Sequence, residues 1–503
     1  MSVERKVIAN YLGGGWAALM AIAFLPLYIR YLGIESYGLI GLFTTLQAWI
    51  LLFDVGLSPT LNREMARFSA HLHTPQSIRD LLRSMEIIYA AMAILLSLLV
   101  IGCAHWIASD WLKAQTLSVE EMSHALALMG LIISFQWMGT LYRSALLGLQ
   151  HQVWLSLLTA GMATLRAVGT LVVLALISPT VSVFFAFQCC ISVLETGALT
   201  WFLHRQLPRP PKAPKFSIVA LKSVWRFAAG LTAVTILATL LTQVDKLLLS
   251  KLLPLDQFGY FSLAVTVAGA LSVMISPVHN VAFPRLTELI AAGNEEGFAR
   301  EYHRFAQFLS ITVLPAALIL SVFSKEIILL WTQDVATTDS VAPIVSVWIA
   351  GTALNGLMHI PYAAQLAHGW IKLTITMNIA AVLLMVPAVL FWVPKFGGIA
   401  AAWIWVAINS GCAFFVITAM HTRILRLEKR PWFFQDVLQP FAAGALVTLA
   451  LSIVHGDSPM TRVSEVGFLL GGALVVTLTV AIATPLGMKY LRASRPLIHK
   501  PKK

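Results

Sequence analysis

The chain has 503 residues, 58% of them hydrophobic and 12% charged, with a mean hydropathy of +0.80 and a formal net charge of +12. A soluble domain carries about 25% charged residues, so these figures exclude a cytosolic globular enzyme, a disordered chain and a secreted disulfide scaffold. The apolar excess runs from end to end, which excludes one anchor helix on a soluble domain and leaves an all-α polytopic membrane protein.

A membrane span needs about 20 apolar residues. Apolar runs between charges and turn residues predict about fourteen transmembrane helices, near 8–30, 37–57, 84–105, 123–146, 154–177, 181–203, 224–245, 257–282, 304–323, 341–363, 371–393, 398–421, 437–455 and 464–487. The first run is too long for the apolar core of a cleaved signal peptide, and another apolar run follows Arg30 at once. Gly13-Gly14-Gly15 lies inside that first run with no strand before it, so it reads as close helix packing. Prolines 26, 277, 315, 361 and 387 interrupt spans and predict bends. The four cysteines sit in apolar runs without ligand spacing, and the thirteen histidines are scattered, so neither a disulfide framework nor a metal site is expected.

The basic residues set the orientation. With the first residues in the cytoplasm and sides alternating, 27 of the 35 Lys and Arg fall on cytoplasmic segments, 7 on outer segments, and Arg166 lies within a span. Basic side chains resist translocation, so both termini are expected inside. The net charge of +12 is then a topology signal and an attraction to anionic lipid headgroups, and nucleic acid is not expected as a partner. The cytoplasmic segments include a basic linker at 209–222 and a basic tail at 488–503.

Segment 30–38 (Arg-Tyr-Leu-Gly-Ile-Glu-Ser-Tyr-Gly) matches segment 251–259 (Lys-Leu-Leu-Pro-Leu-Asp-Gln-Phe-Gly) in residue type at a fixed offset of 221. Arg83 falls on Arg304 at the same offset. The offset carries the first span onto the seventh. Six is even, so the halves run parallel and relate by a pseudo-twofold axis along the membrane normal. The expected domains are an N-terminal six-helix lobe at 1–208, the linker at 209–222, a C-terminal six-helix lobe at 223–422, two further helices within 437–487, and the tail at 488–503. Two such lobes around a cleft suit alternating access.

The expected outer loops are short. An enzyme that polymerises or transfers lipid-linked sugars needs a sizeable outer loop with acidic or basic catalytic groups, and none is expected here. No Walker A, HExxH, GxSxG or GxGxxG motif stands in a suitable setting, so neither ATPase chemistry nor a cofactor is expected.

A few charges lie within or beside spans. Arg166 is the only charge from residue 144 to 194, and an arginine at mid-span costs at least about 2.5 kcal/mol on insertion scales. Two readings stay open. Arg166 forms a structural pair with Glu195 of the next span, or it lines a hydrated cavity where an anionic substrate passes. Asp54 and Asp245 close the second and seventh spans. Either is a candidate for a coupling ion. The plainer readings are a helix-end hydrogen bond for Asp54 and a surface pair with Lys246 for Asp245.

The run Ile29-Arg-Tyr-Leu-Gly-Ile-Glu-Ser-Tyr-Gly-Leu resembles the opening of the polysaccharide transporters, the Wzx-type flippases of the superfamily that also holds the multidrug and toxic-compound exporters. Leu52-Leu-Phe-Asp-Val-Gly-Leu with Leu61-Asn-Arg-Glu-Met-Ala-Arg is similar to that family's second helix and first cytoplasmic loop. Arg143-Ser-Ala-Leu-Leu-Gly-Leu-Gln looks like its fourth-helix exit. Thr242-Gln-Val-Asp-Lys-Leu-Leu-Leu, with Phe258-Gly-Tyr-Phe-Ser-Leu-Ala, resembles its seventh and eighth helices. The likeness covers about residues 5 to 290. It implies transfer of an undecaprenyl-diphosphate-linked oligosaccharide from the inner to the outer leaflet of a bacterial inner membrane, with ion coupling and two six-helix lobes. Membrane lipids and polysaccharide polymerase or export proteins are the further partners it implies. Arg166 suits the anionic cargo by chemistry and depth. Arg63, Arg143 and Arg285, at cytoplasmic helix ends, suit the entrance for the diphosphate or serve only as topology signals. A small-molecule antiporter of the multidrug-exporter type is the alternative, and an apolar pocket with one or two acids would favour it over a hydrated cationic one.

Overall fold

The computed structural model describes residues 3–54, 56–218, 221, 236, 239–426, 428–456 and 461–494. Among these, thirteen helices are long and apolar enough to cross a membrane. They match the expected spans one for one except 224–245, most of which lies outside the described residues. The chain divides into two compact units, Met1–Gly259 and Tyr260–Lys503.

In the first unit the helices are α1 (Val3–Leu32), α2 (Ile34–Ile50), α3 (Leu57–Ser69), α4 (Pro75–Trp106), α5 (Val119–Gly148), α6 (Gln152–Leu176) and α7 (Val181–Gln206). The amphipathic α3 stands where the sequence reading has a loop. α4 starts nine residues before its apolar run, because Thr74 caps it with a reciprocal Ser77 bond and Pro75 opens its first turn. α5 is the centre of this unit and packs against α3, α4 and α7. Its buried Met122, Leu126, Met129, Ile133 and Trp137 form one face, and Trp137 stacks on Tyr89 of α4 at 4.9 Å. Gly130 lets α5 approach α4, since a Cβ there would stand 3.1 Å from Val100. α1 packs on α6, where Gly13 lies against the backbone of Ser156. Gly14 and Gly15 face open space, so the packing role falls to Gly13 alone.

The two repeat segments touch each other. A Cβ on Gly38 would meet the carbonyl of Leu255, and a Cβ on Gly259 would meet the carbonyl of Ile34. Position 34 maps onto 255, and 38 onto 259, at the offset of 221. The contact is therefore reciprocal. The loop after α4 braces both segments. Glu35 accepts hydrogen bonds from Gln115 N and from Thr116 N (2.9 Å), while Leu255 N donates to Lys113 O (3.0 Å).

The second unit contains α8 (Leu255–Ala291, whose first turn lies in the first unit), α9 (Glu295–Val322), α10 (Ser324–Thr332), α11 (Val335–Leu357), α12 (His359–Ala367), α13 (Ile371–Phe396), α14 (Gly398–Arg423), α15 (Gln439–His455), α16 (Arg462–Ile482) and α17 (Pro485–Ser494). The span expected at 341–363 breaks at Met358 into α11 and α12. The stretch around Trp331 forms the short α10. Asp334 caps α11 through Thr337 N (2.8 Å), and hydrogen bonds from Thr337 hold its carboxyl below the usual range. α9 packs against α11, α15 and α16, with Leu314, Ile319, Phe323, Leu357, Leu469, Val476 and Val480 at the shared core. Gly444 of α15 makes that approach possible, because a Cβ there would stand 2.7 Å from Val480 and 2.8 Å from Leu318.

Candidate functional site

Three neighbouring helices of the first unit each carry a line of polar residues at heptad-like spacing. On α5 these are Gln136 and Arg143. On α6 they are Thr159, Arg166 and Thr170. On α7 they are Gln188, Ser192 and Glu195. Residues seven apart share a helix face, so each helix turns one polar line toward the others inside an otherwise apolar bundle.

The lines meet in hydrogen bonds. Arg143 Nη2 donates to Glu195 Oε1 at 2.7 Å, and Arg166 Nη2 donates to Glu195 Oε2 at 3.0 Å. Arg143 Nη1 donates to Thr159 Oγ1 at 2.8 Å. Further along, Gln188 Nε2 donates to Thr170 Oγ1 (3.2 Å) and Gln136 Nε2 to Ser192 Oγ (3.4 Å), while Gln136 accepts from Gln47 of α2. Among the described residues this polar seam runs from Gln47 to the two arginines.

The charge balance of the cluster decides its chemistry. Two guanidiniums share one carboxylate, which leaves a net charge of about +1 with both arginines locked in place. Each guanidinium has five N–H donors, and the hydrogen bonds above use two from Arg143 and one from Arg166. The side chains of Arg143, Arg166 and Glu195 are 36%, 27% and 18% exposed, so the remaining donors are reachable. Such a cluster accepts an anion with several oxygens, and the fork of arginine matches phosphate geometry.

The sequence reading anticipates the contact between Arg166 and Glu195. It places Arg143 at a cytoplasmic helix end, as an entrance residue. The structure instead turns its long side chain inward to Glu195 and Thr159. The neutral members Gln136, Thr159 and Thr170 escape a search for charges. Their spacing, i, i+7 from Gln136 to Arg143 and from Thr159 to Arg166, and i, i+4 from Arg166 to Thr170, is the signal that could have found them.

The other candidates lie apart from this cluster. Arg63 on α3 pairs with Glu64 at 3.6 Å, and Arg285 on α8 pairs with the exposed Glu288 at 2.7 Å. Asp54 accepts from Ser58 Oγ (2.7 Å), Ser58 N and Tyr89 Oη, which is the helix-end role of the plainer reading, strengthened by a tyrosine from α4. Asp245 departs from its plainer reading. It is buried at 4% exposure, and its Oδ1 has no hydrogen-bond partner among the described residues. Lys246, the expected surface partner, donates to Gln243 Oε1 at 3.2 Å instead. Asp245 is therefore a buried residue, not a surface one, and Lys246 still acts on it electrostatically.

Comparisons with known proteins agree with this architecture. The sequence model of a family described as "Polysaccharide biosynthesis protein" matches residues 3–290. A Shigella flexneri protein named "Putative O-antigen transporter" is 21% identical over 406 residues, spanning 80% of this chain and 94% of that protein. Among solved structures, the lipid II flippase MurJ in an inward closed conformation superposes with a TM-score of 0.71 at 14% identity, covering 97% of this chain and 99% of that one. An inward-facing multidrug-resistance MATE transporter of the MOP superfamily gives 0.65 at 14% identity, covering 85% and 96%. The structural likenesses establish the fold, and the sequence match across more than half its length establishes that this multi-pass membrane chain belongs to the polysaccharide biosynthesis protein family.

Proposed function

We propose that the protein is a flippase. It carries an undecaprenyl-diphosphate-linked oligosaccharide from the cytoplasmic to the periplasmic leaflet of a bacterial inner membrane by alternating access. The observation that carries this reading is the cluster of Arg143, Arg166 and Glu195, where two guanidiniums share one carboxylate within membrane-spanning helices. Spare donors at that depth are costly to keep unless water or an anion occupies the face they present. A diphosphate supplies both the charge and the oxygens. The relatives' names support it, one given as an O-antigen transporter and one as a lipid II flippase.

Glu195 does not oppose the cargo in this scheme. It screens the two arginines from each other and holds both in place, and the surplus charge remains for the ligand. Coupling to an ion is assigned to Asp245 before Asp54. Asp245 is buried with an oxygen that pairs with none of the described residues, whereas Ser58 and Tyr89 already occupy Asp54. Arg63 and Arg285 are assigned to the entrance for the diphosphate on the cytoplasmic side.

The test is reconstitution. The purified chain in sealed vesicles should move a labelled undecaprenyl-diphosphate oligosaccharide between leaflets, and inorganic pyrophosphate should compete for the same site. Movement of small cationic drugs in place of the lipid-linked sugar would contradict the proposal and favour the antiporter reading. Asp245→Asn should abolish stimulation by an imposed ion gradient while downhill exchange persists.

A further inference from the structure

The end of the second unit contains a built cavity that the transport reading does not use. Between α14 and α15 the chain forms a π-helical segment, Trp432–Leu438, and after α16 it turns at Thr484 into the amphipathic α17. Both pieces hang from one side chain of α9. Gln307 Nε2 donates to Asp436 Oδ1 at 2.8 Å, and Gln307 Oε1 accepts from Leu486 N at 2.8 Å. Asp436 is fully buried, also meets His303 Nδ1, and its carbonyl accepts from Ser310 Oγ at 2.6 Å. The other nitrogen of His303 lies 3.1 Å from Glu428. The π-helical segment and the first turn of α17 are therefore fixed relative to each other.

A cavity of about 470 Å³ lies between them, lined by Gln435, Gln439, Thr484, Met488 and Lys489 among others. Among the described residues, Lys489 is its only charged lining residue. The amides of Gln435 and Gln439 make no hydrogen bond to the described residues. Ala483, Pro485 and Met488 supply an apolar side of the lining, with Met488 exposed at 43%. The flanking sequence is strongly basic. Residues 423–430 hold four basic residues and one acidic, and residues 488–503 hold six basic and none acidic. The bias of basic residues places both segments at the cytoplasmic surface.

An ammonium and two amides beside an apolar wall match a phosphate attached to a hydrocarbon chain. We propose that this cavity binds the headgroup of an anionic phospholipid of the cytoplasmic leaflet. Lys489 pairs with the phosphate, Gln435 and Gln439 donate to its oxygens, and an acyl chain lies along Pro485 and Met488. Gln307 is the positioning residue, because it holds both walls. The site is independent of the cargo assignment, since its residues belong to the second unit and the arginine cluster belongs to the first.

The experiment is native mass spectrometry of the full chain in mild detergent, with dioleoyl phosphatidylglycerol and dioleoyl phosphatidylcholine offered together. The wild type should retain phosphatidylglycerol in preference. A basic residue near an anionic lipid surface contributes about fivefold in binding, so Lys489→Ala should lower phosphatidylglycerol retention about fivefold and leave phosphatidylcholine unchanged. Gln307→Leu should lower it as well, although Lys489 remains. Lys500→Ala with Lys502→Ala, in the same basic tail, should have no effect. An equal loss from the tail pair would mean diffuse attraction and would overturn the site, as would full retention by Lys489→Ala. Displacement by millimolar inorganic phosphate, or tighter binding of bare undecaprenyl diphosphate, would reassign the anion and also overturn the phospholipid proposal.

Discussion

Glu195 accepts one hydrogen bond on each oxygen from two arginines of different helices, and this arrangement changes what its mutants should do. In a simple pair, loss of either charge strands the other. Here Arg166→Ala leaves Arg143 and Glu195 balanced, and Arg143→Ala leaves Arg166 and Glu195 balanced. Both single arginine variants should accumulate in the membrane at wild-type level. Glu195→Gln leaves two guanidiniums facing each other and should accumulate poorly. The cost should stay below the about 3–5 kcal/mol of breaking a fully buried pair, because the arginine side chains are 27% and 36% exposed. Immunoblots of membrane fractions, with a thermal melt of each purified variant, check this asymmetry. Equal losses from all three variants would mean that the cluster is not a shared-carboxylate device. Part of it was legible in the sequence. Arg166 and Glu195 are lone charges in apolar runs, and lone charges must find partners. Thr159 and Gln136 were not, because a neutral polar residue at mid-span carries no such obligation and commonly bonds its own helix backbone.

At the scale of elements, the long spans are legible because each needs about 20 apolar residues. Their ends are not, because α4 and α9 extend beyond the apolar run on capped, amphipathic turns that hydropathy does not register. The linker shows the same limit. The sequence marks 209–222 as basic, yet its first part is strapped to α4. Lys212 N, Lys215 N and Ser217 N donate to Gln76 Oε1, Asp80 Oδ1 and Ser84 Oγ at 3.1, 2.9 and 2.8 Å. These acceptors lie at i, i+4 and i+8, one face of the helix. Arg79 holds the preceding turn through the carbonyls of His204 and Leu207 (3.0 and 2.7 Å). Trypsin should therefore cut slowly after Lys212 and Lys215 in the wild type and much faster in Arg79→Ala, as peptide mapping of limited digests would show. The glycine triplet gives a second check. A Cβ at Gly13 would stand 2.8 Å from the backbone oxygen of Ser156, so Gly13→Ala should lower the melting temperature, with a cost of about 1–3 kcal/mol for overpacking. Gly14→Ala and Gly15→Ala have open space and should not. Equal effects at all three positions would contradict the packing of α1 on α6.

At the scale of the whole molecule, the distribution of basic residues and the family fold carry the functional argument together. Reporters fused after residues 70, 215 and 430 should read cytoplasmic, and one after residue 115 periplasmic. A periplasmic signal at 215 would invert the orientation and remove the entrance assigned to Arg63 and Arg285. The central claim, that the arginine cluster handles an anionic lipid-linked sugar, is tested most directly by surface polysaccharide in cells whose only copy of the gene carries Arg166→Ala. The account predicts normal protein in the membrane, loss of surface polysaccharide, and partial recovery with Arg166→Lys, where a point charge survives without the forked hydrogen bonds. Wild-type polysaccharide from Arg166→Ala at wild-type protein level would contradict it.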